Sequence, residues 1–249
     1  MTRIAIISDT HNLMDRVELP EADLLLHCGD WTSRGDIQEI SQFNFHCGRV
    51  RHQFKHGIIA IAGNHDRLME SNPNLGRSLI TNFRYLQDEL IEIDGLKIYG
   101  APWTPMFFNW AFMLERGEEI QKKWDKIPPD IDILMTHGPP VDILDKVYRT
   151  VKKVGCEELA NAVKRIKPKL HAFGHIHYSY GTFKSDDTLF VNAATCGEDY
   201  KATNKPIVVE VDKDGARLIS GGRTLIVADA IYSEDYRQRT SKKRSDWEY

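Results

Sequence analysis

Short runs of consecutive apolar, largely β-branched residues recur along the chain, and most of them stop at Gly, Asp, His or Asn. They cover Arg3–Ser8, Asp23–His27, Gly57–Ala62, Leu90–Ile93, Lys97–Gly100, Ile131–Thr136, Lys169–Phe173, Thr188–Asn192 and Pro206–Val211. Runs this short and this continuous predict strands buried on both faces. Asp94-Gly95 between two such runs is a hairpin signal, and Asp212–Gly215 before Ala216–Ile219 is a second. Three stretches of helical period lie between the strands. Asp36–Gly48 has Ile37, Ile40, Phe43 and Phe45 as its apolar side; Gly117–Trp124 follows; Gly155–Ile166 carries Cys156, Leu159, Ala160 and Val163 on one stripe. Strand and helix alternate early and hairpins dominate late, which predicts an α/β fold with two sheets between helical layers.

The 249 residues allow one generous domain or two small ones at about 150 residues per domain. Neither a repeat nor a linker is visible, so a single domain is expected over residues 1–232. The remainder, 233–249, is charged and aperiodic and reads as a tail, with Lys242-Lys-Arg244 as solvated charge in it. With 33 basic and 36 acidic side chains the net charge is −3, which offers no basic field for a nucleic-acid duplex. Four cysteines, Cys28, Cys47, Cys156 and Cys196, stand far apart with no C-x-x-C pair and read as reduced thiols. No apolar run approaches the ~18 residues of a membrane span, and the start of the chain lacks a signal-peptide pattern. A cytoplasmic protein without membrane contact is expected.

The ten histidines are the compositional oddity, and their positions are informative. Five runs end in metal-binding side chains: Ser8-Asp9-Thr10-His11, Cys28-Gly29-Asp30, Ala62-Gly63-Asn64-His65-Asp66, Met135-Thr136-His137-Gly138 and Phe173-Gly174-His175-Ile176-His177. Ligands bind beyond the carboxyl ends of strands in open sheets, so five such ends can converge on one place. Each block alone has a plainer reading as a turn or as core histidines. In this order, each after a buried strand, chance is a poor account of them. Imidazole and carboxylate together suit Mn²⁺, Fe²⁺ or Zn²⁺ better than Ca²⁺.

The series D-x-H, G-D, G-N-H-D, H, G-H-x-H resembles the calcineurin-like metallophosphoesterase superfamily. Tyr99–Pro105, Asp132–Pro140, Pro168–Gly174 and Asn192–Cys196 are similar to its narrower, metallophosphoesterase-domain-containing (MPPED-type) branch. The resemblance implies a four-layer αββα sandwich with two mixed sheets, two divalent metal ions and phosphodiesterase-type hydrolysis. By the same resemblance Asp9, His11, Asp30 and His177 hold one metal, and Asp30, Asn64, His137 and His175 hold the other. Mn²⁺ is the expected metal, with Fe²⁺ or Zn²⁺ as alternatives. Two aspartates, a shared hydroxide and two divalent ions leave the site about +1, which attracts a phosphate ester although the whole chain is negative.

Two metals ~3.5–4 Å apart share and acidify a water and aim the hydroxide at phosphorus. The leaving oxygen still needs a proton, and His65, next to the ligand Asn64, is the expected donor. Asp66 or a backbone carbonyl would fix its tautomer. Arg34, just past Asp30, is a candidate contact for a phosphate oxygen. The aromatic run Trp103, Phe107, Phe108, Trp110 and Phe112 is read either as a pocket wall, with Trp103 against the substrate, or as a lid over the sheet edge. His27 and His171, inside strand patterns, are read as core or supporting residues.

Three functions compete. The first is a phosphodiesterase for a small phosphodiester or nucleotide, with cyclic nucleotides implied by the resemblance. The second is a phosphomonoesterase or protein phosphatase; Gly29–Gly35 is superficially like G-D-x-x-D-R-G, but Ser33 replaces its second acid. The third is a catalytically weak scaffold that binds a nucleotide or a partner. The presence of both His65 and His175 favours an active enzyme. The oligomeric state is not legible.

Overall fold

In a computed structural model of the chain, residues 1–148, 153–185 and 187–222 are described. All nine apolar runs become strands, with ends shifted by at most two residues. One six-stranded sheet has the order β14 (Gly215–Ser220), β13 (Ile207–Asp212), β1 (Thr2–Ile7), β2 (Leu24–Cys28), β3 (Ile58–Ile61) and β4 (Arg84–Tyr85). The second has the order β11 (Gly181–Lys184), β12 (Leu189–Asn192), β10 (Leu170–Phe173), β9 (Ile133–Thr136), β6 (Leu96–Ala101) and β5 (Glu89–Ile93). Within each sheet four neighbouring strands are parallel, β1 to β4 in one and β12, β10, β9 and β6 in the other. Antiparallel partners complete the edges, so both sheets are mixed.

The continuous hydrophobicity of the strands follows from this layering, because each strand has two apolar faces to fill. In β1, Ile4 and Ile6 point between the sheets, where they join Leu24, Ile59, Ile98 and Ile133. The alternate residues Ala5 and Ile7 point outward and belong to the other buried cluster, which also holds Ile40, Phe43, Trp124 and Leu159 from the helical layers. Those outer residues come from α1 (Ile37–Val50), α4 (Glu118–Trp124) and α5 (Glu157–Ile166). The result is the expected αββα sandwich.

Hairpin chemistry behaves as expected. Asp94 and Gly95 have φ of 53° and 75°, the two left-handed residues that a two-residue hairpin loop requires, and Ile93 pairs with Leu96. The apolar side of α1 is narrower than predicted. Ile40, Phe43 and Cys47 are buried, whereas Ile37 and Phe45 are exposed. Phe45 lies two residues beyond Phe43 and therefore projects from the opposite side of the helix. In α5 the stripe is Leu159, Ala162, Val163 and Ile166 rather than one through Ala160.

Several short elements have no sequence signal: β4, β11, α2 (Arg67–Ser71), α3 (Pro73–Ser78) and the pair β7 (Thr104–Pro105) and β8 (Met113–Leu114). They are too short for periodicity, and tertiary contacts create them. All four cysteines are free and buried. Among the described residues no helix is long and apolar enough to cross a membrane. The predicted tail 233–249, with its Lys242–Arg244 cluster, and the last residues of the predicted domain lie outside the described residues.

Candidate metal centre

The parallel strands of both sheets end at one place. A bridge between Ser8 and Ala194 joins the end of β1 to the segment after β12, and the N–H of Cys196 donates to the carbonyl of Asp9. The chain turns sharply there, and Asp9, His11, Asp30 and His175 all adopt left-handed backbone with φ between 40° and 65°. Asp and His tolerate that region better than most residues, yet strain of this kind concentrates at functional sites. Two glycines of the blocks are explained by close approach. A Cβ at Gly174 would overlap the Asp9 carboxylate, and one at Gly63 would overlap that of Asp30.

Three groups of donors come together: Asp9, His11 and His177; Asp30, His137 and His175; and His11, Asp30 and His65, each with ligand atoms within 4.8 Å of one another. Asn64 joins the second, its Oδ1 lying 2.9 Å from His137 Nε2, which is also 3.3 Å from Asp30 Oδ2. Asp30 thus lies between the two sets. Its other oxygen accepts the His65 N–H at 2.7 Å, while the N–H of His175 donates to Asp9 at 2.9 Å.

The ring tautomers suit metal binding. Nδ1 of His11, His137 and His177 donates to the carbonyls of Thr32, Cys28 and Gly197 at 3.2, 2.9 and 3.1 Å. Carbonyls only accept, so each of these nitrogens carries a proton and a neutral ring turns its Nε2 lone pair to the centre. Nε2 of His11 and of His177 face each other at 3.4 Å, and Asp9 Oδ1 is 3.4 Å from the latter. Lone pairs and a carboxylate at these separations call for a cation among them. The residues fit two divalent ions.

The electrostatics show the same demand. Burial opposes ionisation of Asp9 and Asp30, but His177 beside the first and His137 beside the second hold both carboxyls far below the usual range. Burial likewise disfavours a charged His137, and Asp30 overrides it, pushing the imidazole up to about 9. Burial depresses His11, and it lowers His175 to about 4.

His65 stands in the same cluster, with Nε2 3.9 Å from Asp30 Oδ2. Its Nδ1 donates to the Ser33 carbonyl at 2.8 Å, so the carbonyl and not Asp66 orients the ring. Asp66 does something else. Fully buried, its carboxylate accepts the N–H groups of Asp30, Gly63 and Thr32 at 2.8–3.0 Å and the Thr32 hydroxyl at 2.6 Å. It ties the second block to the third. Burial and the Asp30 charge push Asp66 up to about 8 against these four donors.

The two substrate candidates fare differently. Arg34 is exposed on the loop beside Ser33, with its N–H bound to Glu39. Trp103 is turned into the outer core: its Nε1 donates to Asp88 at 2.6 Å, its ring packs on Phe112, and Lys123 lies over it. The residue after a strand end can face either way, and here the apolar ring finds the core. Within the aromatic run it is Trp110 that reaches the centre, 4.4 Å from the His65 ring, with the Arg67 guanidinium 4.4 Å above the indole.

Two further residues have no counterpart among the predicted ones. Tyr200, in left-handed backbone (φ 56°), places its ring 4.9 Å from His11 and 5.3 Å from His177. No local pattern marks it. Glu39 accepts the N–H groups of Ser33, Arg34 and Gly35 at 3.2, 2.7 and 2.9 Å, and the Asn12 amide at 2.7 Å. A signal for it exists, since Asp36 and Glu39 have the spacing of a capping box.

The model of the calcineurin-like phosphoesterase family matches residues 2–179, a span that includes all five ligand blocks. Metallophosphoesterase domain-containing protein 1 of Homo sapiens is 39% identical over 234 residues, covering 84% of this chain and 71% of that protein. UPF0046 protein C25E10.12 of Caenorhabditis elegans is 38% identical over 232 residues, covering 84% and 80%. One solved structure aligns with a TM-score of 0.64 at 15% identity, covering 89% of this chain and 99% of the other. GAP50, described as the anchor in the inner membrane complex of Plasmodium, aligns with a TM-score of 0.51 at 11% identity, covering 88% and 84%. These distant structures share the fold. With an αββα sandwich, a converged Asp/His cluster and a family match across every ligand block, the chain belongs to the calcineurin-like phosphoesterase family, which comprises metal-dependent phosphoric ester hydrolases.

Proposed function

We propose that the protein is a phosphodiesterase that uses two divalent metals, with Mn²⁺ the expected pair, on a small phosphodiester. The observation that carries this reading is the set of three imidazoles whose Nδ1–H groups are fixed by carbonyls while their Nε2 lone pairs meet two buried carboxylates. Asp9, His11, Asp30 and His177 would hold one ion, and Asp30, Asn64, His137 and His175 the other. When bound, such a pair acidifies a water and neutralises charge on the phosphoryl oxygens.

The chain's own residues supply the rest. His65, with Nδ1–H on Ser33, has Nε2 directed at the centre, where a proton on it reaches the leaving oxygen. Asp66 keeps the backbones of Asp30 and Gly63 in register. Arg34, exposed next to Ser33, is the candidate positive charge for a phosphate oxygen. A diester is favoured over a monoester because the remaining surroundings are aromatic: Trp110 and Tyr200 flank His65, and Arg67 is laid on the indole. A second ester group has these rings to pack against, and a phosphomonoester has none to place there. Cyclic nucleotides are the diesters that the MPPED-type resemblance suggests.

The test is purified protein with Mn²⁺ on bis-p-nitrophenyl phosphate, p-nitrophenyl phosphate and cyclic nucleotides, with bound metal counted in parallel. Higher kcat/KM on the diester is expected. Preference for the monoester supports a phosphatase, and inactivity with two metals bound supports a scaffold.

A further inference from the structure

A cavity of about 700 Å³ opens beside the centre, with His175 and His177 in its wall and Tyr200 at the same edge. A small phosphodiester on the ligand cluster leaves most of that volume unfilled, since cavities of roughly 300–1,000 Å³ take drug-sized ligands. Pro105, Met106, Val141, Val147, Val154 and Ile176 line it. Two charged groups of the lining are already committed. Arg116 donates to the carbonyls of Gly155 and Val154, both at 2.9 Å, and Lys153 is paired with Asp142. Glu198 is exposed. Among the described residues most of the lining surface is hydrocarbon, which suits an alkyl group better than a nucleobase or sugar read by hydrogen bonds.

A second observation concerns the loop that forms one wall. Met106, Phe107 and Phe108 are consecutive and are 44%, 63% and 72% exposed. The loop is held in this position, since the N–H of Met106 donates to the Leu114 carbonyl at 2.8 Å and that of Phe107 to Met113 Sδ at 3.3 Å. Scattered apolar side chains in water are ordinary; a contiguous group beside a cavity marks a ligand surface.

We propose that this cavity takes the second ester group of the substrate and selects a hydrocarbon arm, so that the preferred substrate class is a phosphodiester with one apolar alkyl ester. The proposal rests on the phosphodiesterase reading and narrows it. Each buried methylene favours binding by up to about fourfold, the ratio that area burial gives per CH₂.

The experiment compares methyl, butyl and octyl p-nitrophenyl phosphate, with thymidine 5′-p-nitrophenyl phosphate as the nucleoside arm, on Mn²⁺-loaded protein. Calorimetric binding of methyl- and octylphosphonate runs beside it. Expected are a rise in kcat/KM of at least tenfold from methyl to octyl, octylphosphonate binding at least tenfold tighter than methylphosphonate, and no comparable gain for thymidine. In Met106→Ser and Val141→Asp the octyl-to-methyl ratio should fall toward one; a variant that merely folds poorly loses both substrates alike and keeps the ratio. A flat chain-length series, or preference for the thymidine ester, overturns the hydrocarbon arm while leaving the diesterase reading intact. If no diester is cleaved, that reading fails, and the two phosphonates still decide the cavity.

Discussion

His65 holds its Nδ1–H on a loop carbonyl and its Nε2 nearly 4 Å from the Asp30 carboxylate; His11 does the same, but its Nε2 also faces that of His177 at 3.4 Å. The His65 geometry suits a proton donor to the leaving group. His65→Ala should therefore slow methyl or ethyl esters by about 10²-fold or more, the usual range for a general acid, and p-nitrophenyl esters much less. Bound metal should stay at two ions per chain. Loss of one ion would make His65 a ligand, and equal loss on both ester types would remove the acid role. Asp66 shows why neighbours in sequence are unsafe guides to partners. It adjoins His65, yet its oxygens serve the N–H groups of Asp30, Gly63 and Thr32.

At the scale of the element, the first turn of α1 does more than bury Ile40 and Phe43. Asp36 caps the helix by accepting the Glu39 N–H at 2.9 Å, and the Glu39 carboxylate reaches back over three successive N–H groups of the loop from Ser33 to Gly35. This loop carries the carbonyl that orients His65, so the helix start and the centre form one mechanical unit. Removing the carboxylate in Glu39→Ala strands those donors, and hydrogen bonds to a charged group are worth about 1.5–3 kcal/mol each when shielded. A loss of roughly 1–3 kcal/mol in urea unfolding is expected, because the loop is partly exposed. The esters with poor leaving groups should suffer more than p-nitrophenyl esters, as for His65 itself. Uniform loss on all esters would assign Glu39 to stability alone.

Across the whole molecule the two sheets repeat one supporting arrangement. His27 on β2 meets the Thr10 hydroxyl at 2.9 Å, and His171 on β10 meets that of Thr136 at 2.8 Å, each threonine standing next to a candidate ligand histidine. Burial lowers both imidazoles to about 3, and their Nδ1 atoms have no hydrogen-bond partner among the described residues. The folded state therefore binds fewer protons than the unfolded one between about pH 3 and 6.5. Stability is full above the unfolded value and falls as the pH drops, by up to about 1.4 kcal/mol per pH unit for each histidine. Urea titrations of wild type and His171→Leu between pH 6.5 and 5 should differ in slope by about that amount; parallel lines would show that His171 is not buried neutral. The sequence by itself determined the strands, because residues with two apolar faces to bury read as unbroken runs, and it marked the Asp and His side chains that the fold gathers at one place, because each block closes such a run with Gly, Asp, Asn or His. The sides on which Phe45 and Trp103 lie, the carbonyl that orients His65, and the arrival of Trp110 and Tyr200 beside it were decided only by the tertiary structure. Those outcomes depend on which surfaces meet across loops and between sheets, and packing partners distant along the chain leave no periodic mark on the local pattern.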